Sequence, residues 1–136
     1  MNYTNILNLD KEEIIIDVIK LVKKELSELT TDRTCKIYSN YVSLYLRANY
    51  ILHRNIDTGE YGYDYSHKFC LVPKDEDYYL IDLTFSQFNN LEFLDLLIDG
   101  YTIVNKEELH RYLEIVGKSK DIIKVDTFFF GKGRSN

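Results

Sequence analysis

The chain has 136 residues, with 17 Lys and Arg against 22 Asp and Glu, giving a formal charge of −5; that length fits one domain rather than two. Hydrophobic residues make up 45% and charged residues 29%, and one Pro and six Gly leave no low-complexity or linker-rich stretch, so the composition is that of a folded globular chain. Apolar runs stop at a charge far short of the ~20 residues that span a bilayer, and an acidic chain without a Lys/Arg block lacks the footprint that attracts phosphate backbones, so neither a membrane nor nucleic acid is expected as a partner.

The N-terminus carries no basic cluster and is followed by Asp10, Glu12 and Glu13, which is not the charge order of a secretory signal; the chain reads as cytoplasmic, or as a domain released from a longer protein. Over 9–29, Ile15, Ile19, Val22, Leu26 and Leu29 recur at helical spacing with Lys and Glu between them, which predicts an amphipathic helix. The polar break at 30–34 supplies N-cap candidates for a second helix carrying Cys35, Tyr38, Val42, Tyr45 and Asn49, with Cys35 in its first turn. Strands are expected from Tyr50 onward: 50–53 is β-prone, 57–59 is turn-like, and Tyr61, Tyr63 and Tyr65 alternate on one face before a strand at 66–72.

Pro73-Lys74-Asp75-Glu76 has turn chemistry and joins that strand to another at 77–83 as a hairpin. A short helix is predicted at 88–97, with Leu91, Leu94 and Leu97 on one face and its end at Asp99-Gly100. A strand at 101–104 follows, then Asn105 and Glu108 form a capping box for a helix through Leu109, Tyr112, Leu113 and Val116, closed by Gly117. A last strand is expected at 122–130. The fold class is therefore α+β, with N-terminal helices packed on an antiparallel β-sheet in one domain over 1–130 and a disordered polar tail at 131–136.

Two cysteines, Cys35 and Cys70, are too few for a disulfide framework, and with His53, His67 and His110 they show no zinc spacing, so no metal or cofactor is expected. A nucleophilic cysteine needs a thiol pKa lowered from about 8.5 towards the ~3.5–7.5 range, and a helix N-terminus beside a histidine provides that. Cys35 has the helix start. Closing the hairpin through a four-residue loop at 73–76 sets Val72 opposite Asp77 and carries His67 opposite Asp82. Opposed residues share a sheet face with Cβ atoms about 4.5–5.5 Å apart, which suits a carboxylate holding an imidazole N–H; a one-residue slip would separate them. Cys70 alternates onto the face opposite His67 and reads as a packing residue.

The order Cys35, His67, Asp82 resembles the papain-like and transglutaminase-like superfamily, in which a helix-borne Cys is followed by a strand His and a strand Asp or Asn. The segment Tyr79-Leu80-Ile81-Asp82-Leu83-Thr84-Phe85-Ser86-Gln87-Phe88 is similar to a "hydrophobic-Ile-Asp-x-Thr-x-x-Gln-Phe" stretch of small bacterial members. The resemblance covers roughly 30–90. It implies thiol chemistry on an acyl or amide bond, as a peptidase, deamidase or acyltransferase, with Asp82 orienting the catalytic His67. Thr34 stands where many relatives have Gly, and the chain has no Trp and no Gln upstream of Cys35. Oxyanion stabilisation then falls to backbone N–H groups at the start of the Cys35 helix, with Thr34, Asn40, Gln87 and Tyr65 as candidate oxyanion or substrate contacts. The expected partner is a dedicated polypeptide substrate or partner protein. The same departures keep open a second class, a binding or immunity-type module with the fold and no activity.

Overall fold

The computed structural model describes residues 3–29 and 34–118, with side chains from 11 onward. The expected strand at 122–130, the tail at 131–136 and most of the polar break at 30–34 lie outside these residues. The described chain has four helices, α1 (Tyr3–Glu25), α2 (Cys35–Ala48), α3 (Leu91–Leu96) and α4 (Lys106–Gly117), and four strands, β1 (Arg54–Asp57), β2 (Lys68–Lys74), β3 (Asp77–Ile81) and β4 (Tyr101–Val104). The strands form one antiparallel sheet in sequence order, β1-β2-β3-β4. The fold is α+β, as composition and periodicity predict.

Strand alternation divides the interior between the two faces of this sheet. Cys70 and Val72 of β2 with Tyr79 and Ile81 of β3 pack against Ile15, Ile19 and Val22 of α1 and Val42 and Leu46 of α2. Phe69, Leu71, Tyr78 and Leu80 point the other way, onto Phe93 of α3 and Leu109, Tyr112, Leu113 and Val116 of α4. Helices therefore cover both faces, and the middle strands are buried on both sides.

Several local expectations change. The first strand is β1, not 50–53: Tyr50 takes a left-handed φ of 59, and His53 leaves the sheet to hydrogen-bond Ser43 Oγ and Ile51 O at 2.6 and 2.9 Å. The Tyr61, Tyr63, Tyr65 strand does not form, because Thr58–Tyr61 is a 3-10 turn ended by Gly62 in the left-handed region, and Tyr63 turns inward at 7% exposure. Phe85–Phe88 is another 3-10 turn, and α3 starts later, at Leu91, where Asn90 Oδ1 caps Phe93 N–H. Its buried face is Phe93 and Leu97, while Leu91 is exposed. The Asn105–Glu108 capping box forms in both directions.

Gly117 was expected to end α4 as a left-handed cap, yet Lys118 takes that conformation, with φ 51. Gly117 instead makes room for Tyr63: a Cβ there would stand 2.5 Å from the ring's Cδ1 and 2.8 Å from Cγ. Gly117→Ala is thus expected to lower stability by about 1–3 kcal/mol through overpacking, read as a lower midpoint in urea unfolding.

Candidate active site

The site sits where the β2–β3 ladder runs out. The hairpin closes through Asp75 and Glu76 alone, with Lys74 opposite Asp77 and Val72 opposite Tyr79, so the four-residue loop and the direct His67–Asp82 pairing are both corrected. Asp75 takes a φ of 55, which a tight two-residue connection needs at its first position. The register differs from expectation by two positions, an even step that leaves every side chain on its expected face. His67, just before β2, therefore meets Asp82, just after β3, along a diagonal, three residues and one residue respectively beyond the last ladder pair, Cys70 with Ile81.

His67 is fixed first through its backbone. Thr58, fully buried, donates its N–H to His67 O at 2.9 Å and accepts His67 N–H on Oγ1 at 2.8 Å. The same hydroxyl donates to Tyr65 O at 2.5 Å, closing the loop between β1 and β2. Asp82 is held similarly: its N–H donates to Gly100 O at 2.9 Å, and its Oδ1 accepts Thr84 N–H at 3.0 Å and Thr84 Oγ1–H at 3.3 Å. Oδ2 accepts His67 Nε2–H at 2.8 Å and the Tyr112 hydroxyl, from α4, at 2.5 Å. His67 and Tyr112 are 0% exposed and Asp82 is 3% exposed. The Phe88 ring meets the imidazole edge-on at 4.8 Å.

With Nε2 committed to Asp82, Nδ1 is the ring nitrogen left for the thiol of Cys35. It is buried and makes no formed hydrogen bond among the described residues, while the sulfur and the ring shift each other's pKa in opposite directions. Such contacts are often long before substrate binds and tighten with it. Cys35 is the first residue of α2, where the helix dipole favours an anion. Burial pushes its thiol up, but the His67 interaction, a hydrogen bond from the Lys68 backbone N–H and the imidazolium charge outweigh it, so its pKa falls below the ordinary 9.0.

The histidine moves the opposite way. Burial alone would lower it, but the charge and hydrogen bond of Asp82, helped by Cys35, raise it from 6.5 to about 9. Down for the thiol and up for the imidazole are the directions that favour a thiolate beside an imidazolium. Cys70 is the contrast: sealed at 0% exposure with its thiol on Ser39 O at 3.5 Å, it is pushed up by burial to about 12. A small cleft is lined by Cys35, Ser39, Lys68, Asp82, Leu83 and Thr84.

The structure brings Cys35, His67 and Asp82 together; the other candidates are placed differently. Thr34 is the N-cap residue of α2, but its side chain makes no capping bond. Asn40 lies five positions beyond Cys35, about 140° round the helix at 3.6 residues per turn, and its Oδ1 accepts Lys68 Nζ at 2.8 Å and Asn55 Nδ2 at 2.9 Å on the exposed surface. Tyr65 stands one ring back from the imidazole, edge-on to Phe88 at 5.9 Å. Gln87 has a buried Nε2 with no hydrogen-bond partner among the described residues.

Sequence reasoning missed three contributors: Thr58, the Lys68 N–H and the Tyr112 hydroxyl. Tyr112 had one signal, a phenol among Leu109, Leu113 and Val116, whose hydroxyl needs a buried acceptor. Among the described residues no group of three His, Cys, Asp or Glu side chains is placed to hold a metal ion, and no helix is long and apolar enough to cross a membrane.

A folded-state pKa raised from 6.5 to about 9 means that His67 binds its proton more tightly in the fold. That stabilisation is fully present below about pH 6.5 and is lost as pH rises through about 9. Urea unfolding across this range should show the decline, and a His67→Gln variant should lose it. Comparisons with protein-family models, with curated proteins and with solved structures give no match to this chain, whose chemistry is therefore read from its own side chains.

Proposed function

We propose that the chain is a small thiol enzyme of the papain-like or transglutaminase-like kind, acting on an amide or related acyl bond of a dedicated polypeptide. The observation that carries this reading is geometric: a thiol on the first residue of α2 lies at a cleft beside a buried imidazole that is held by a buried carboxylate at 2.8 Å, and the downward shift of the thiol and upward shift of the ring agree with it. In the reaction, Cys35 Sγ bonds to the carbonyl carbon and the carbonyl oxygen becomes an oxyanion. Backbone N–H groups of the first turn of α2, together with the Lys68 N–H beside the sulfur, are its stabilisers. His67 Nδ1–H gives its proton to the leaving amine, the C–N bond breaks, and a thioester remains on Cys35. Asp82 keeps the Nε2–H aligned throughout. Water resolves the thioester as hydrolysis and an amine resolves it as transfer. The small size of the domain, 136 residues, argues against a deep multi-subsite cleft and favours one dedicated polypeptide over general digestion.

The test is intact-mass measurement after brief iodoacetamide treatment at about pH 6, where an ordinary thiol is almost wholly protonated. Cys35 should alkylate roughly tenfold or more faster than Cys70, and His67→Ala should abolish the difference. Equal, slow labelling of both cysteines would favour the non-catalytic binding module.

A further inference from the structure

We infer that Tyr112 is a positioning residue that acts through Asp82: its hydroxyl shares Oδ2 with His67 Nε2 and thereby limits how strongly the carboxylate stabilises the protonated ring. The inference rests on the triad reading above and adds a fourth member from a helix on the opposite face of the sheet from α2.

Packing alone does not call for the hydroxyl. The Tyr112 ring lies among Phe69, Phe85 and Phe93, at centroid distances of 5.0, 5.8 and 5.9 Å. A phenylalanine would fill the same space without a buried polar group to satisfy. The hydroxyl is spent entirely on one atom, Asp82 Oδ2 at 2.5 Å, the atom that also accepts from His67 at 2.8 Å. Oδ1 is already occupied by the two Thr84 donors. Each donor to a carboxylate spreads its charge, so the Tyr112 bond reduces the field that Asp82 exerts on the ring.

Two features make Tyr112 a tuner of this proton and not a carrier. Burial, the Asp82 charge and the Asp82 hydrogen bond raise the phenol well above its usual 10, so it stays protonated and only donates. The titratable groups acting on this cluster are Asp82, Cys35, Cys70 and Tyr112 itself. The neighbouring Lys68 ammonium is turned away onto Asn40, and Phe88 and Phe69 complete the wall around the imidazole without charge. An imidazolium held by an unshared buried carboxylate would release its proton to a leaving group reluctantly. Tyr112 offsets that.

The experiment is an NMR pH titration of the His67 ring in the full chain carrying Cys35→Ser, which removes the sulfur's charge and makes the readout independent of whether Cys35 is a nucleophile. Adding Tyr112→Phe should move the His67 midpoint upward by about one pH unit. In an Asp82→Asn background the same substitution should leave the midpoint unmoved. Site-specific fluorotyrosine at position 112, a stronger donor that preserves the packing, should move it down. A midpoint that stays put or falls with Tyr112→Phe, or fails to fall with fluorotyrosine, overturns the inference, as does an equal shift without the Asp82 carboxylate. Failure of the rapid Cys35 alkylation would instead count against the enzyme reading and leave this titration result standing.

Discussion

A carboxylate buried beside an imidazole is the constraint around which the described structure is arranged. Asp82 and His67 are 3% and 0% exposed, and charges taken that far from water are costly unless every lone pair finds a donor. Asp82 has four: His67, Tyr112 and both polar groups of Thr84. They come from the start of β2, from α4 and from the turn after β3, so the pair forms only when three separated stretches of chain have docked. Breaking such a buried pair by removing one partner typically costs about 3–5 kcal/mol, because the other charge is left uncompensated.

The two cysteines of the chain measure what that arrangement does. Cys70 and His67 are three positions apart on adjoining backbone, yet the alternation of β2 sends Cys70 into the α1–α2 core, where burial in apolar surroundings protonates it firmly. Cys35 reaches the same end of the sheet from the start of α2, where the His67 ring and the Lys68 N–H favour its anion. Identical side chains thus shift oppositely according to whether an imidazole stands beside the sulfur or burial seals it. Ladder termination matters as much: β2 and β3 stop pairing at Cys70 and Ile81, and beyond that point His67 is held by Thr58 and Asp82 by Gly100 O instead of by each other's strand.

What was legible in the sequence follows from which forces are local. The amphipathic period of α1 and α2, the Asn105–Glu108 capping box and the short strand β4 are decided by side chains within a few positions of one another, and the structure reproduces them. The hairpin was legible in kind but not in register, since Pro73 carries turn chemistry yet sits in β2 opposite Tyr78. Facing survived because the displacement was even. The tyrosine-rich stretch reads as a strand by propensity, but the buried Thr58 draws the chain from 58 to 67 into a closed loop through four bonds that no local pattern encodes. Tyr112 was visible as a helix residue and invisible as a partner of Asp82, because that bond spans thirty positions.

The most direct measurement of the account is the ultraviolet absorbance of thiolate followed against pH, with Cys35→Ser subtracted as the background. A single ionisation belonging to Cys35 is expected in the difference, with its midpoint below 9.0. A Cys35 midpoint at or above 9.0 would contradict it, because the imidazole and the helix start would then be doing nothing for the sulfur.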